Sequence, residues 1–562
     1  MLEIDDGKEF EERADFIGDE DLLNWTVDTE FFNFVQSKIL QRGAKLIVGP
    51  RGTGKTHQMK YAYNKCLQNK SLPLAIYISF TKYYHLEPLL FKAPNALKIF
   101  HTWVLCKILL ACDQSCHDLD MNSFNMNPSL NINIDSIRLF VSQAEKGVAE
   151  SLDDTLIQYI TLDQVVRVVD EMISTSNRKR AILLLDDAAL SLTPDYMVEF
   201  FDLFRSLKTL NIAPKASVYP GTTEYGPRFH VGHDAEQVDA WLDVEDENYS
   251  NFMDELIQKR LSVIKTEISQ DIIEVLKYAS FGVPRTFIGL IRNYIKTTGK
   301  TTQERFNKIV ADQCDLTKHE YLSLYQKMPQ YKSIIQTGYQ LFQNIINIFV
   351  DENKDLRDEK RTQIGIIKIN NFQINRMVKF LIEAGLLYEK TTVHHGSERE
   401  YQRFTLHFMF LIQKRVFSIS RGFDPKGIVE FIKRKPSKHP IRRTYETILT
   451  TEQFSNLKLN LPPCKNCGAE RLTEEQKYCH QCGKELVGQS AFEMCMRINI
   501  DDLPIPKWQK DRIEEQTNLK TIGDILSIPD PASELRKAKQ IGKIRSEQIY
   551  LVAKNAANEF LA

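Results

Sequence analysis

The sequence predicts an α/β protein built on a parallel sheet with a glycine-rich loop after its first strand, continued by helical units and a small cysteine module. Three observations carry that class. Short, almost wholly apolar runs at residues 46–48, 74–80, 181–185 and 216–219 are separated by helical patterns, as the buried strands of a parallel sheet are. Residues 49–56 read Gly-Pro-Arg-Gly-Thr-Gly-Lys-Thr directly after the first run. Cys464-x-x-Cys467 and Cys479-x-x-Cys482 supply two thiol pairs eleven residues apart.

Composition narrows the class. Of 562 residues, 43% are hydrophobic and 26% charged, which excludes a disordered chain, a collagen-like repeat and a small disulfide scaffold. The 73 Lys and Arg against 74 Asp and Glu exclude a polycation and leave room for local basic patches. There is no apolar run of about 18 residues, so no membrane span is expected. The start, Met1-Leu2-Glu3-Ile4-Asp5-Asp6, is acidic and lacks an apolar core, so no export signal is expected either. The ten cysteines then read as reduced thiols or metal ligands, and the expected compartment is the cytoplasm.

Taken in order, a helical stretch at 30–35 precedes the first strand, and the Asn-, Asp- and Ser-rich residues 117–136 read as a loop. The pattern turns helical from about residue 250. Ile374, Met377, Val378, Leu381, Ile382 and Leu386 recur at helical spacing with Gly385 near the end. A polar loop at 391–400 and a strand-like run at 401–410 follow. Residues 426–450 hold seven Lys or Arg against two Glu, with Pro436 and Pro440, and read as a basic linker. A cysteine module and a last helical unit close the chain.

The 49–56 loop carries the clearest chemistry. Its glycines let successive backbone N–H groups turn toward phosphate oxygens, and the following helix N-terminus adds partial positive charge. Gly49, Pro50, Arg51, Gly52, Thr53 and Gly54 form the cradle. Lys55 can reach the β- and γ-phosphates of ATP, and the Thr56 hydroxyl can ligate Mg²⁺. Asp186 and Asp187 end the 181–185 strand. A carboxylate there holds Mg²⁺, and its neighbour can polarise an attacking water; Asp186 is the metal-side candidate and Asp187 the candidate base.

The order of phosphate loop, Asp-Asp strand, Thr222-Thr223 after the next strand and Gly282-Val283-Pro284-Arg285 resembles an AAA+ ATPase, most closely the origin-recognition and archaeal-initiator branch. The resemblance spans 25–415. It implies an ATPase core at 1–240, a helical lid at 241–311 and a winged helix at 312–422, with 423–462 as the basic linker. It also implies that Thr222 or Thr223 is the first sensor and Arg285 the second, forking a guanidinium across γ-phosphate oxygens. Arg228 stands as either a trans-acting arginine finger in a self-oligomer or a surface arginine. The second acid is Asp187 where this family usually has Glu, so hydrolysis is expected to be slow or switch-like. Arg376 and Lys379 lie on the polar face of the 371–387 helix, open to DNA reading or to plain solvation.

The two C-x-x-C pairs resemble a short bacterial zinc ribbon within 463–488. Cys464, Cys467, Cys479 and Cys482 can close a tetrahedral, structural Zn²⁺ site. Residues 489–562 resemble a helix-hairpin-helix unit like the C-terminal domain of the RNA polymerase α subunit. That resemblance puts Lys539, Gly542, Lys543 and Arg545 against nucleic-acid phosphates, although Lys539-Gln540 stands where the hairpin's first glycine is usual. The expected function is an ATPase that couples nucleotide state to nucleic acid, double-stranded DNA first. A signal-type ATPase of anti-phage defence or regulation that senses a protein or nucleic-acid partner is the alternative, and a mobile-element ATPase adaptor a third reading.

Overall fold

A computed structural model describes residues 8–561 apart from 81–85, 87–94, 122–123, 125–131, 147–153, 188–193, 262–267, 300, 357, 396–398, 418–421, 438–440, 465, 473–475, 477, 485, 487–494 and 529. Five strands, β1 (Lys45–Val48), β2 (Leu74–Ser79), β3 (Ala181–Asp186), β4 (Ile212–Val218) and β5 (Glu236–Asp239), form one wholly parallel sheet in the order β2-β3-β4-β1-β5. β1 to β4 are buried along nearly their whole length because both faces are covered, whereas the edge strand β5, Glu-Gln-Val-Asp, buries only Val238 and gave no apolar run to read. Alternate residues go to opposite sides. Leu46, Leu183 and Leu185 pack into the core that includes the helix Ala96–Asp118. Ile47, Ile182 and Leu184 face a second core shared with Glu30–Leu40 and Lys55–Gln68. Because β4 lies between β1 and β3, the carboxyl ends of these three strands stand side by side, where α/β sheets place their ligands.

Beyond residue 241 the boundaries differ from those expected. The helix Thr302–Lys327 runs unbroken across 311/312, capped by the Thr301 side chain, so lid and following unit are joined by a rigid rod. A single core runs from Val244 in the lid through Phe342, Leu381 and Phe404 to Leu449. The expected basic linker is largely folded. Helix Pro425–Ile432 buries Ile428, Val429, Phe431 and Ile432. Strand β10 (Lys435–Pro436) pairs with β6 (Glu359–Lys360), and β11 (Ile441–Arg443) with β7 (Gln363–Ile367). The charge count misled because the apolar residues sit at helical spacing among the cations. Several of those cations are engaged: Arg443 pairs with Glu352 at 2.9 Å, and Arg434 lies over the Phe431 ring. Pro440 lies outside the described residues.

The helix expected near 371–387 is Phe372–Glu383, capped by Asn371 and released at Gly385, whose φ is +72°. The expected polar loop is mostly strand: β8 (Leu387–His395) and β9 (Arg399–Leu406) pair antiparallel, and only the tip at 396–398 lies outside the described residues. The 401–410 run is a strand only to Leu406, after which Phe408–Gln413 is helical; an apolar run of that length does not separate the two states by period. Of the expected 117–136 loop, residues 122–123 and 125–131 lie outside the described residues, and its two ends belong to the helices Ala96–Asp118 and Ile134–Ala144. The C-terminal unit has its own small core of Ile500, Ile513, Ile522, Leu535, Ile549 and Ala553. Among the described residues no helix is long and apolar enough to cross a membrane.

Candidate functional site

The loop after β1 turns through Gly52 and Gly54, whose φ values are +82° and +92°, a region that side chains disfavour. A Cβ on Gly52 would lie 2.8 Å from the Cβ of Arg285, so only glycine lets the lid come this close. Lys55 opens the following helix. Its ammonium donates to the Gly49 and Pro50 carbonyls at 2.6 and 2.9 Å and sits 4.0 Å from the Tyr219 ring centroid. Burial pulls its pKa down to about 7, against the fields of Asp187 and Asp186.

Asp186 is buried and held by three hydroxyls. Tyr77 and Ser217 each donate to it at 2.9 Å, and Thr56 donates as well. Burial raises its pKa. Asp187 takes φ +52°, a left-handed conformation that Asp tolerates better than longer side chains do, and its N–H donates to Ser217 Oγ at 2.8 Å. Burial, then the charges of Asp186 and Asp15, push Asp187 up to about 7, while Lys55 and Arg51 pull the other way. Ser217 therefore ties the two acids together from the neighbouring strand.

A cleft of about 1180 Å³, its open mouth included, extends from this loop. Its walls are Trp25, Val27 and Phe32 from the core and Phe252, Leu256 and Ile288 from the lid. Residues 8–17 run along one side. Arg260 donates to the Glu9 and Glu11 carbonyls, Arg292 pairs with Glu12 at 2.5 Å, and Lys60 pairs with Asp15 at 3.4 Å. Buried His57 meets Thr26 Oγ1 at 2.8 Å, and burial lowers its pKa to about 4, so it stays neutral near pH 7.

Lys55, Thr56, Asp187 and Arg285 all come to one place. The Arg285 N–H donates to the Gly52 carbonyl at 3.4 Å and its Nε to the Glu12 carbonyl at 3.4 Å. The two threonines behave differently. Thr223 Oγ1 accepts from Tyr219 N–H at 2.9 Å, and Thr222 donates to Glu383 at 3.0 Å, so both hydroxyls are engaged away from the loop. Tyr219 is the residue of that segment that lines the cleft. Arg228 lies apart, 73% exposed and 3.4 Å from Asp202.

Arg376 does not face solvent. Its guanidinium donates to the Gly221 carbonyl at 3.2 Å, pairs with Glu224 and lies over Tyr331 and Phe380, so the side chain is spent inside the protein and is not held out to read DNA. Sequence reasoning missed Tyr77, Ser217, Tyr219, Glu383 and the 8–17 segment. Strand ends offered a faint signal for Ser217 and Tyr219, and nothing local offered one for the others.

The four thiols converge as their spacing requires, with all Sγ atoms within 4.8 Å of one another. The Cys464–Cys482 and Cys467–Cys479 sulfurs lie 3.6 and 3.5 Å apart, close to the roughly 3.8 Å edge of a tetrahedron built on Zn–S bonds of about 2.3 Å. Each pair closes the same turn. Gly468 N–H donates to the Cys464 carbonyl and Gly483 N–H to that of Cys479, both glycines at positive φ. In the C-terminal unit Gln540 takes φ +71° where the hairpin glycine would stand. Arg545 donates to the Gln540 carbonyl at 2.8 Å and lies over Trp508, while Lys539 N–H donates to Gln516 and Lys543 opens the last helix after Gly542.

No protein-family model matches the chain, and no curated protein matches it. Among solved structures it is similar to the Aeropyrum pernix ORC2 protein, determined as ADPNP–ADP complexes, at 12% identity over 76% of this chain and 97% of that one, with a TM-score of 0.30.

Proposed function

We propose that the chain is a Mg²⁺-dependent ATPase of the AAA+ kind, initiator-like, that couples nucleotide state to its grip on nucleic acid, double-stranded DNA first. The single observation behind the ATPase reading is the convergence of Lys55, Thr56, Asp186 and Asp187 beyond the carboxyl ends of β1 and β3, the two strands that flank β4, with the lid's Arg285 on the same loop. Lys55 already aims its ammonium at oxygen acceptors, the Gly49 and Pro50 carbonyls, and phosphate oxygens would replace them. A buried carboxylate, Asp186, ringed by hydroxyls with Asp187 beside it fits a divalent cation, with Thr56 and Asp186 as the holders; bound there, it would neutralise charge on the transferred phosphoryl group.

Asp187 takes the proton of the attacking water. Its pKa near 7 gives it proton affinity matched to neutral pH. Arg285, contacting both the phosphate loop and residue 12, transmits lid position to the cleft. The apolar walls from core and lid accept the base. Thr222 and Thr223 act in this scheme through Tyr219, and Arg228 remains available as a finger toward a neighbouring copy. The four cysteines hold structural zinc, and Lys539, Gly542, Lys543 and Arg545 meet phosphates.

A second reading, partner sensing, is favoured by one observation: Arg376 and the 423–462 cations are partly consumed inside the protein, which leaves the C-terminal modules as the outward face. The test is ATP binding and turnover with and without duplex DNA, single strands and RNA. Asp187→Asn should bind ATP and stop turnover. Parent-rate hydrolysis by that variant removes Asp187 as the base, and no binding of any nucleic acid at low salt leaves partner sensing as the reading.

A further inference from the structure

The cleft stands beyond the carboxyl ends of the strands, and the opposite edge of the same sheet carries a different chemistry. Each of four adjacent strands is entered there by a loop with a cation within four residues of the strand's start: Lys70 before β2, Arg178, Lys179 and Arg180 before β3, Lys208 before β4 and Arg42 before β1. The strand order β2-β3-β4-β1 sets these loops side by side. With neighbouring strands about 4.8 Å apart, they make a row about 14 Å long.

Two buried side chains fix the row. The Arg178 guanidinium donates to the Cys66, Asn69 and Leu72 carbonyls, each at 2.9 Å, and so pins the turn that carries Lys70. The Lys215 ammonium of β4 donates to the Gln41 and Gly43 carbonyls at 2.7 and 2.5 Å, on either side of Arg42. Helix carboxyl ends also meet at this edge and attract cations, but Arg178 and Lys215 are the side chains that touch those ends. Arg42, Lys70 and Lys179 are exposed, and among the described residues their side chains, like that of Arg180, pair with no carboxylate and no carbonyl. One Arg180 guanidinium nitrogen has no hydrogen-bond partner, and Lys208 donates to the Asp234 carbonyl at 3.2 Å. The acids nearby are engaged elsewhere. Glu236 pairs with Lys38 and Lys45, Asp234 accepts from His230 N–H at 2.7 Å, and Asp170 accepts from Asn211 Nδ2 at 3.5 Å.

We propose that this edge is a surface that tracks the phosphates of one nucleic-acid strand, separate from the cleft and from the C-terminal unit. A linear row of uncompensated cations on pinned loops matches a linear polyanion. At about 3.4 Å of rise per phosphate along one strand, a row of about 14 Å faces about four phosphates. An acidic protein patch has no such repeat to match. The surface goes beyond the C-terminal contacts and needs neither them nor a nucleotide.

The test combines Lys70→Gln, Lys179→Gln and Lys208→Gln in the full chain, which leaves Arg178 and Lys215 to hold the loops. Parent, triple variant and Lys543→Ala are titrated by fluorescence anisotropy with a short DNA duplex, its separated strand and a polyglutamate peptide, between about 50 and 200 mM salt. On the duplex the triple variant should flatten the slope of log affinity against log salt by about two to three, and on the single strand by about two, for all sequences alike. The change should add to that of Lys543→Ala, and Lys→Arg at the same three positions should keep the parent slope, which a role in folding alone would not produce. A triple-variant slope equal to the parent's overturns the proposal and leaves these cations as companions of helix ends. Polyglutamate bound as tightly as the duplex, and lost in the triple variant, makes the edge a face for an acidic protein and overturns it as well. If the parent binds no nucleic acid, the proposal falls together with the nucleic-acid half of the proposed function. A slope lost in the triple variant but not in Lys543→Ala upholds the edge and removes the C-terminal contact instead.

Discussion

The four-thiol cluster and the cleft beside the 49–56 loop both announce themselves by short motifs, yet they are made in opposite ways. The cluster draws every ligand from residues 464–482, and two glycine turns aim them. The cleft takes its loop from 49–56, its acids from 186–187, Ser217 and Tyr219 from a third strand, Arg285 from the lid and Glu12 and Asp15 from the N-terminal segment. A site completed within twenty residues needs a ligand to fold it. A site assembled from five parts of the chain is already held by the core around it, and its ligand is expected to adjust a standing structure.

That contrast sets the largest expected effect. Ribbon modules are too small to bury a sufficient core, so metal binding supplies their folding free energy, on the order of 10 kcal/mol in small zinc modules. Elemental analysis should find one zinc per chain. Cys464→Ser or a strong chelator should remove it and strip amide protection from 464–484, while nucleotide affinity at the cleft stays within about twofold. Loss of both together would break the separation between the two regions. Next in size is Lys55→Ala, which removes charge-assisted bonds to phosphate and should cost about 100-fold in ATP affinity, roughly 3 kcal/mol, with the far-ultraviolet circular dichroism unchanged. An unfolded Lys55→Ala chain would mean that the cleft, like the ribbon, depends on its own ligand-binding groups to stand.

The same contrast explains what was legible. The phosphate loop, the Asp186–Asp187 strand end and the thiol pairs are local patterns whose chemistry dictates their spacing, and residues 49–56 and 464–482 could be read directly. Tyr77 reaches Asp186 from β2, and Glu383 reaches the 221–222 turn from a helix some two hundred residues beyond the acids; no sequence period connects either to its partner. Arg376 shows the reverse error. A cation on a helix surface reads as solvated or as DNA-facing, and only the packing of Tyr331, Phe380 and the 221–224 turn around it reveals an internal tie. Residues 426–450 failed for a related reason: a count of charges hides a helix whose apolar face is only four residues wide.

Asp187 gives a smaller, pH-dependent effect. Its pKa in the folded chain, about 7, lies above the ordinary carboxylate value near 3.8, so the folded state holds a proton that the unfolded chain has already lost across that interval. Stability contributed by the neutral form is full below about pH 4 and is lost as pH rises toward 7. Asparagine cannot ionise and accepts a positive φ. Asp187→Asn should therefore stabilise the nucleotide- and magnesium-free protein by on the order of 2 kcal/mol at pH 8, and by much less at pH 4.5. Urea midpoints at the two pH values measure this; a difference that does not change with pH would remove the strained acid pair from the description of the cleft.

The smallest expected effect lies in the C-terminal unit, where contacts are exposed and weak one by one. Lys543 opens the last helix behind Gly542, where under the proposed function its ammonium would meet phosphate alongside that helix's first N–H groups. Arg545 differs, because part of its guanidinium already holds the Gln540 carbonyl and lies on Trp508. On duplex DNA each neutralised phosphate contributes about 0.9 to the slope of log affinity against log salt. Lys543→Ala should flatten that slope by about 0.9 and weaken every sequence alike, since a backbone contact positions without specifying. Arg545→Lys keeps the charge and loses the planar stack, so it should preserve the slope while loosening the turn around Gln540, read as faster amide exchange at 539–542. Arg376→Ala should leave the slope untouched, since its side chain is spent inside the protein. A slope that drops with Arg376→Ala but not with Lys543→Ala would move the nucleic-acid surface from the C-terminal unit to the helix Phe372–Glu383, and with it the division between a cleft that turns over nucleotide and a tail that grips phosphate.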